Sequence, residues 1–185
     1  MSNAAPLTSF RDRPFELLLE LERRCVQAAA GRGLETGAQT EWVGVAYRIG
    51  EHLFVTPRQQ VREIMTYQGV TRIPGSKDWL KGLANIRGQL LPIIDMHEFF
   101  GGEEMLAGRT TRVISVNHEE IPAGLLVDEV RGFRRFSGDE MLKAAAPGPG
   151  YTPFTTGRFE RGEENWHVMD LTSLVESQAF LQAAE

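Results

Sequence analysis

This sequence has little that would support a membrane-bound, disulfide-stabilised or nucleic-acid-binding protein. It contains a single cysteine, Cys25, which allows no intrachain disulfide and fits a reducing compartment. No window approaches the roughly 18 apolar residues that a membrane span requires, and neither end resembles a signal peptide. A net charge of −5 argues against nucleic acid as a partner. We therefore predict a cytoplasmic protein with no direct membrane insertion.

Groups suited to catalysis or metal binding are also scarce. Asp95, His97 and Glu98 have the residue types of a metal site, but neighbouring residues on a helix diverge by about 100°. A helix cap at Asp95, with Glu98 as its capping-box partner, is the favoured interpretation. The remaining histidines stand in strand or turn contexts without a neighbouring base or nucleophile, and they are His52, His118 and His167. We predict no catalytic residue, no cofactor and no metal.

The most informative stretch runs from Arg72 to Gly101. Ile73-Pro74-Gly75 predicts a strand end and a turn, and residues 76–81 predict one short helical turn. Two apolar runs, residues 83–86 and 90–94, flank Arg87-Gly88 and predict a β-hairpin. Asp95 then caps a short helix that stops at Gly101, because a glycine accepts the conformation at a helix end.

Residues 1–40 predict an N-terminal extension with one amphipathic helix. Its apolar residues recur at helical spacing from Pro14 onward, and they are Leu17, Leu18, Leu21, Cys25 and Ala28. The helix ends near Gly31, and small and polar residues follow as a linker. Two interpretations stay open. The helix either covers an edge of its own fold or binds a partner.

The remainder of the chain predicts many short strands in two similar halves. The first half has runs at 43–49, 53–55, 64–65 and 70–73 before the hairpin, and the second has runs at 112–117, 121–128, 130–136, 154–160 and 166–169. Arg161-Gly162 and Asp170 repeat the order of Arg87-Gly88 and Asp95, and a C-terminal helix follows Asp170 up to Leu181. About five strands per half predict a mainly β protein of two small barrels packed side by side, at about 41–101 and 109–170.

The pattern I-P-x(4)-W-x-K-G-x-x-N-x-R-G-x-x-x-P-x-x-D in this stretch resembles the signature of the CheW family, whose members couple chemoreceptors to a histidine kinase. Upstream, Val61-Arg62-Glu63-Ile64 is similar to the V-x-E-I segment of that family. The likeness covers roughly residues 41–176. It implies two five-stranded SH3-like β-barrels, with residues 171–185 as a C-terminal helix, and a scaffolding function without chemistry.

By this resemblance, Val61, Glu63 and Arg87 match positions that the family uses to contact receptors, kinase or both. Trp79 and Asn85 match the motif as structural residues, with Asn85 bonding the hairpin backbone. The implied partners are the regulatory domain of a chemotaxis-type histidine kinase and the cytoplasmic tip of a methyl-accepting chemoreceptor.

Three departures from the family pattern leave the pathway open. They are the N-terminal extension, the loop at residues 143–153, and Arg62 between the matched contact positions. A variant serving type IV pilus motility is one interpretation. The alternative function is a ligand-binding or enzymatic β-barrel that uses the groove between the two halves, which would need convergent polar groups in a closed pocket.

Overall fold

The computed structural model describes residues 15–17, 20, 22, 41–143 and 146–183. The chain divides into two units, Met1–Thr40 and Glu41–Glu185. In the first unit, residues 15–17, 20 and 22 are helical, whereas the rest of the predicted apolar stripe, at Leu18, Leu21, Cys25 and Ala28, lies outside the described residues. No helix in the described part of the chain is long and apolar enough to cross a membrane.

The second unit is mainly β, as predicted. Its strands are β1 Glu41–Ile49, β2 His52–Pro57, β3 Val61–Thr66, β4 Leu80–Ile86, β5 Gln89–Asp95, β6 Arg112–Val116, β7 Gly124–Val127, β8 Glu129–Ser137, β9 Thr155–Arg161 and β10 Glu164–Met169. Its helices are α1 Met96–Phe99, α2 Leu171–Val175 and α3 Gln178–Leu181, with 3₁₀ turns at Arg58–Gln60, Gly138–Glu140 and Pro149–Phe154.

These strands form two five-stranded sheets. Sheet A has the order β8-β1-β2-β10-β9, and sheet B has the order β3-β6-β7-β5-β4. Neither ladder closes among the described strands, so the expectation of closed barrels is corrected to two open sheets. In sheet A the two edge strands approach through stacked rings instead of backbone pairing, since the centroids of Phe136 and Phe159 lie 4.2 Å apart.

The two halves of the sequence are interleaved in space. Strands β1 and β2 lie in sheet A with β8, β9 and β10, whereas sheet B contains β3 to β7. Each sheet therefore combines two strands of one half with three of the other, and the expected order of one complete barrel after another is not what forms. The repeat itself is present, because β5 lies parallel to β7 as β10 lies parallel to β2, and Asp95 and Asp170 each cap the helix that follows.

Three apolar clusters hold this unit together. One lies between the sheets and contains Tyr47, Phe54, Ile114, Leu125 and Leu174, among others. Sheet A encloses a second cluster around Trp166 and Phe159, and sheet B encloses a third around Ile93 and Leu126. Strand β1 is buried on both faces for this reason, since Val45 and Tyr47 face the shared cluster while Ala46 faces the interior of sheet A.

Three local predictions are corrected by the structure. Residues 70–73 form no strand, and only Thr71 makes an isolated bridge, to Leu83. Residues 76–81 form no helical turn, although the amide of Leu80 donates to the carbonyl of Lys77. The C-terminal helix is two helices, because the Ser177 side chain caps the second one by accepting from the amide of Phe180.

Candidate functional site

The residues proposed as partner contacts come from different elements and meet on one face. Val61 and Glu63 lie on β3, the edge strand of sheet B, and Arg87 lies in the turn between β4 and β5. Nη2 of Arg87 lies 3.1 Å from Oε2 of Glu63, which joins the turn to the edge strand. The Arg87 side chain is 83% exposed, so its guanidinium keeps donors free for a partner.

The turn that carries Arg87 has an unusual backbone for arginine. Arg87 has φ of 51° and Gly88 has φ of 85°, and Arg87 is the only described non-glycine residue with positive φ. A two-residue hairpin loop with positive φ at both positions favours Asn-Gly. Asn85 supports this turn as predicted, since its Oδ1 accepts from the amide of Gly88 at 2.9 Å. Backbone strain at a non-glycine residue is typical of a functional position.

This conformation predicts a stability change. We expect Arg87→Asn to raise the free energy of unfolding by about 0.5 kcal/mol, because asparagine adopts the left-handed region more readily than arginine. The ion pair with Glu63 that is lost is largely exposed, and such pairs contribute little. Urea unfolding of both proteins measures the change, and a lower midpoint for Arg87→Asn would show that the ion pair outweighs the turn strain.

Val61 and Glu63 line a groove of about 320 Å³ between the two sheets. Val45 and Phe133 of sheet A also line the groove, as does Arg58 of the 3₁₀ turn after β2. Phe133 is 58% exposed and Ile64 is 37% exposed, so the groove presents apolar surface to solvent. A second hollow, of about 380 Å³, adjoins it and is lined by Arg62, Glu63, Ile86, Arg87 and Gln89.

The groove rests on a well-held turn. The side chain of Gln60, at the end of that turn, donates to Oδ1 of Asp170 at 2.8 Å and accepts from the amide of Leu171 at 2.9 Å. Asn117 of the β6–β7 connection donates from Nδ2 to the carbonyl of Gln59 at 2.9 Å. These bonds link the turn, which belongs to the first half of the chain, to two places in the second half, so the backbone around Arg58 and Val61 is positioned before any partner arrives.

Sequence reasoning missed Phe133 and Arg58 as residues of this surface. Phe133 belongs to the second half of the chain and reaches the groove only because β8 crosses to pair with β1. Arg58 lies with its guanidinium carbon 6.0 Å from the centroid of the Phe133 ring. No local pattern pairs these two residues. The one signal in the sequence was the position of Phe133 among three arginines, Arg131, Arg134 and Arg135.

The other singled-out residues have structural partners. The ring of Trp79 packs 5.3 Å from that of Phe99 and 6.1 Å from that of Phe180, and its carbonyl accepts from the amide of Asp95. Trp79 therefore has the predicted structural role, although in a turn and not in a helix.

The three residues considered as a metal cluster, Asp95, His97 and Glu98, contact different partners. Asp95 accepts from backbone amides, His97 lies 2.8 Å from Asp128, and Glu98 lies 3.1 Å from Lys81. Glu98 thus forms an ion pair and not the reciprocal bond of a capping box. Among the described residues no group of three or more potential ligands could hold a metal ion.

The remaining histidines have packing or structural contacts. Nδ1 of His118 accepts a hydrogen bond from the amide of Ile121 at 3.1 Å. Its Nε2 therefore carries the hydrogen and donates to the carboxylate of Glu176. His167 is buried in sheet A, and burial lowers its pKa, with the neighbouring His52 and Arg158 acting in the same direction. The shared apolar cluster lies between the two sheets.

Comparison with known proteins gives a consistent result. The family model of the CheW-like domain matches residues 44–179. Protein PilI of Pseudomonas aeruginosa is 38% identical over 92% of this chain and 96% of its own length. Chemotaxis protein CheW of Klebsiella aerogenes is 30% identical over 64% of this chain and 72% of its own length, and protein FrzA of Myxococcus xanthus is 28% identical over 62% and 71%.

The same fold occurs in a solved structure. The crystal structure of scaffolding protein TtCheW from Thermoanaerobacter tengcongensis superposes with a TM-score of 0.67 at 23% identity, covering 76% of this chain and 96% of that chain. The sheets described above are therefore those of a known scaffold fold. With the matched family model and the relatives of similar length, this chain belongs to the CheW-like family of chemotaxis coupling scaffolds.

Proposed function

We propose that this protein is a non-enzymatic adaptor that joins the cytoplasmic tip of a methyl-accepting chemoreceptor to the regulatory domain of a chemotaxis-type histidine kinase. Membership of the CheW-like family supports an adaptor role. In this proposal the protein works in the cytoplasm and is recruited to membrane-bound receptor arrays.

The pathway we propose is a chemotaxis-like system that controls type IV pilus motility. The support is the extent of the match to PilI, which covers 92% of this chain and so reaches into residues 1–40. The match to Klebsiella CheW covers 64% of the chain, which the CheW-like unit alone can supply. The N-terminal extension is thus a feature shared with PilI.

The observation that carries the proposal is the meeting of Val61, Glu63 and Arg87 on one face, around the groove and its adjoining hollow. A partner needs apolar surface for affinity and fixed polar groups for orientation. Here Val61 and exposed Phe133 supply the first, and Arg87, held by Glu63 on a strained turn, supplies the second. The same groove can accept one face of a helix, and helical hairpin tips present such faces.

Arg87 provides the direct test. We expect Arg87→Ala to weaken binding to a receptor-tip fragment or to the kinase regulatory domain by roughly thirty-fold, about 2 kcal/mol, because a buried interface arginine contributes on this scale. Arg87→Lys should restore only part of the affinity, since lysine keeps the charge and loses the planar fork. Calorimetric titration of each variant against each partner measures both effects.

A matched control is Arg109→Ala, which removes an exposed arginine from the segment between α1 and β6. Both alanine variants should have a free energy of unfolding within about 0.5 kcal/mol of the parent protein, which is the usual range for exposed positions. Their melting temperatures should therefore be nearly unchanged. Unchanged binding of Arg87→Ala to both partners would remove Arg87 from the interface. A large fall in its melting temperature would assign the residue to folding.

A further inference from the structure

The groove and its adjoining hollow carry an excess of positive charge on a chain of net charge −5. Together they are lined by three arginines, Arg58, Arg62 and Arg87, and by one carboxylate, Glu63. That carboxylate is already engaged by Arg87. The local field is therefore opposite in sign to the net charge of the protein.

Arg58 and Arg62 are both exposed and have no carboxylate within ion-pair distance among the described residues. Arg58 stands against the ring of Phe133. Nη2 of Arg62 makes one long contact, 3.5 Å, with the carbonyl of His118. Both guanidinium groups can therefore bind a new anionic partner without breaking an existing ion pair.

A β-bulge places Arg62 on this surface. Val61 pairs with Val116 and Glu63 pairs with Ser115, so Arg62 is the extra residue of β3. A bulge of this kind re-aims the side chain of the inserted residue. Arg62 lines both the groove and the hollow. In a regular strand its side chain would point to the face opposite to that of Val61 and Glu63.

We propose that this groove selects a partner segment that carries acidic side chains beside an apolar stripe, and that Arg58 and Arg62 are the residues that determine this selection. The inference rests on the proposed adaptor function and specifies the chemistry of the partner at that site. Phe133 and Val61 take the apolar stripe, and the two arginines attract the acidic flank during approach. Charges at the rim of an interface act chiefly on the association rate and on its salt dependence.

The test is a double charge reversal, Arg58→Glu with Arg62→Glu, titrated with a chemoreceptor-tip fragment by stopped-flow fluorescence. At about 0.05 M salt we expect the association rate constant to fall on the order of tenfold, with a much smaller change in the dissociation rate constant. At about 1 M salt the difference between parent and variant should nearly vanish, because the screening length is then about 3 Å.

Two further variants keep the outcomes distinct. Arg109→Glu makes the same type of charge change away from the groove, and its association rate should stay close to that of the parent protein. Phe133→Ala removes the apolar contact and tests the groove itself. If Phe133→Ala weakens binding while the double reversal leaves the rate unchanged or raises it, charge selection is overturned and the adaptor function stands. If neither Phe133→Ala nor Arg87→Ala weakens binding, the groove is not the binding site and the inference fails with it. If the parent protein binds neither the receptor-tip fragment nor the kinase regulatory domain, the proposed function fails as well.

Discussion

Asp95→Ala should be among the most destabilising single substitutions in the CheW-like unit, with an expected loss of about 4 kcal/mol in the free energy of unfolding. Asp95 is fully buried at the end of β5. Its Oδ1 accepts from the amides of His97 and Glu98, at 2.9 and 3.4 Å, and its Oδ2 accepts from the amide of Met105 at 2.8 Å. Alanine leaves three donors without an acceptor, and each such group costs about 1–3 kcal/mol when water cannot replace the bond.

Asp170 is the matched control, because it caps α2 at the equivalent place in the second half of the chain. It is only partly buried and its bonds to Thr172 and Ser173 lie near solvent. Asp170→Ala should therefore cost about 2 kcal/mol, the usual value of a helix cap together with the lost bond from Nε2 of Gln60. Urea unfolding of the three proteins measures the difference. Equal losses for the two variants would refute the role that we assign to the burial of Asp95.

Gly82→Ala should lower the stability by about 3 kcal/mol, through backbone geometry and not through any lost contact. Gly82 has φ of 137°, which L side chains rarely adopt, and the carbonyl of Thr71 occupies the place where a Cβ would lie. That carbonyl cannot retreat freely, because it accepts from the amide of Leu83 at 2.9 Å in the isolated β-bridge between Thr71 and Leu83. Alanine must break this bridge or strain both segments.

Gly69→Ala is the corresponding control. Gly69 does not have positive φ, and no atom lies within 4 Å of the position of its Cβ. This variant should be neutral or slightly more stable, since alanine reduces the entropy of the unfolded chain. Thermal unfolding should separate the two glycine variants by roughly 10 °C. A melting temperature of Gly82→Ala close to that of Gly69→Ala would show that Thr71 can move away at little cost.

Local features of the fold followed closely from the sequence. The hairpin around Arg87-Gly88 and the caps at Asp95 and Asp170 depend on turn and cap chemistry within a few residues, and all three are present. The helical turn predicted at 76–81 does not form, because tertiary contacts determine the backbone conformation there. Two contacts of Trp79 hold this segment. The carbonyl of Trp79 accepts a hydrogen bond from the amide of Asp95, and the ring of Trp79 packs against that of Phe99.

The candidate site was predicted only in part. Val61, Glu63 and Arg87 came from a resemblance, and whether they bind partners stays a prediction. The ion pair between Glu63 and Arg87 could not be read from spacing, because the two residues are 24 positions apart and belong to opposite edges of sheet B. Phe133 and Arg58 could not be placed at all, since they meet only where the edge strands of two different sheets approach.

By itself, the sequence determined the mainly β class, the two similar halves and the turn and cap residues at the ends of β4, β5, β9 and β10. These depend on alternation, on glycine and proline, and on side chains that bond to their own neighbours. Only the tertiary structure decided that the halves exchange strands, so that the groove forms between an edge of sheet A and an edge of sheet B. The physical reason is that β1 and β2 bury apolar residues on both faces and need three strands of the second half to cover them, and no pattern within either half states which strands those are.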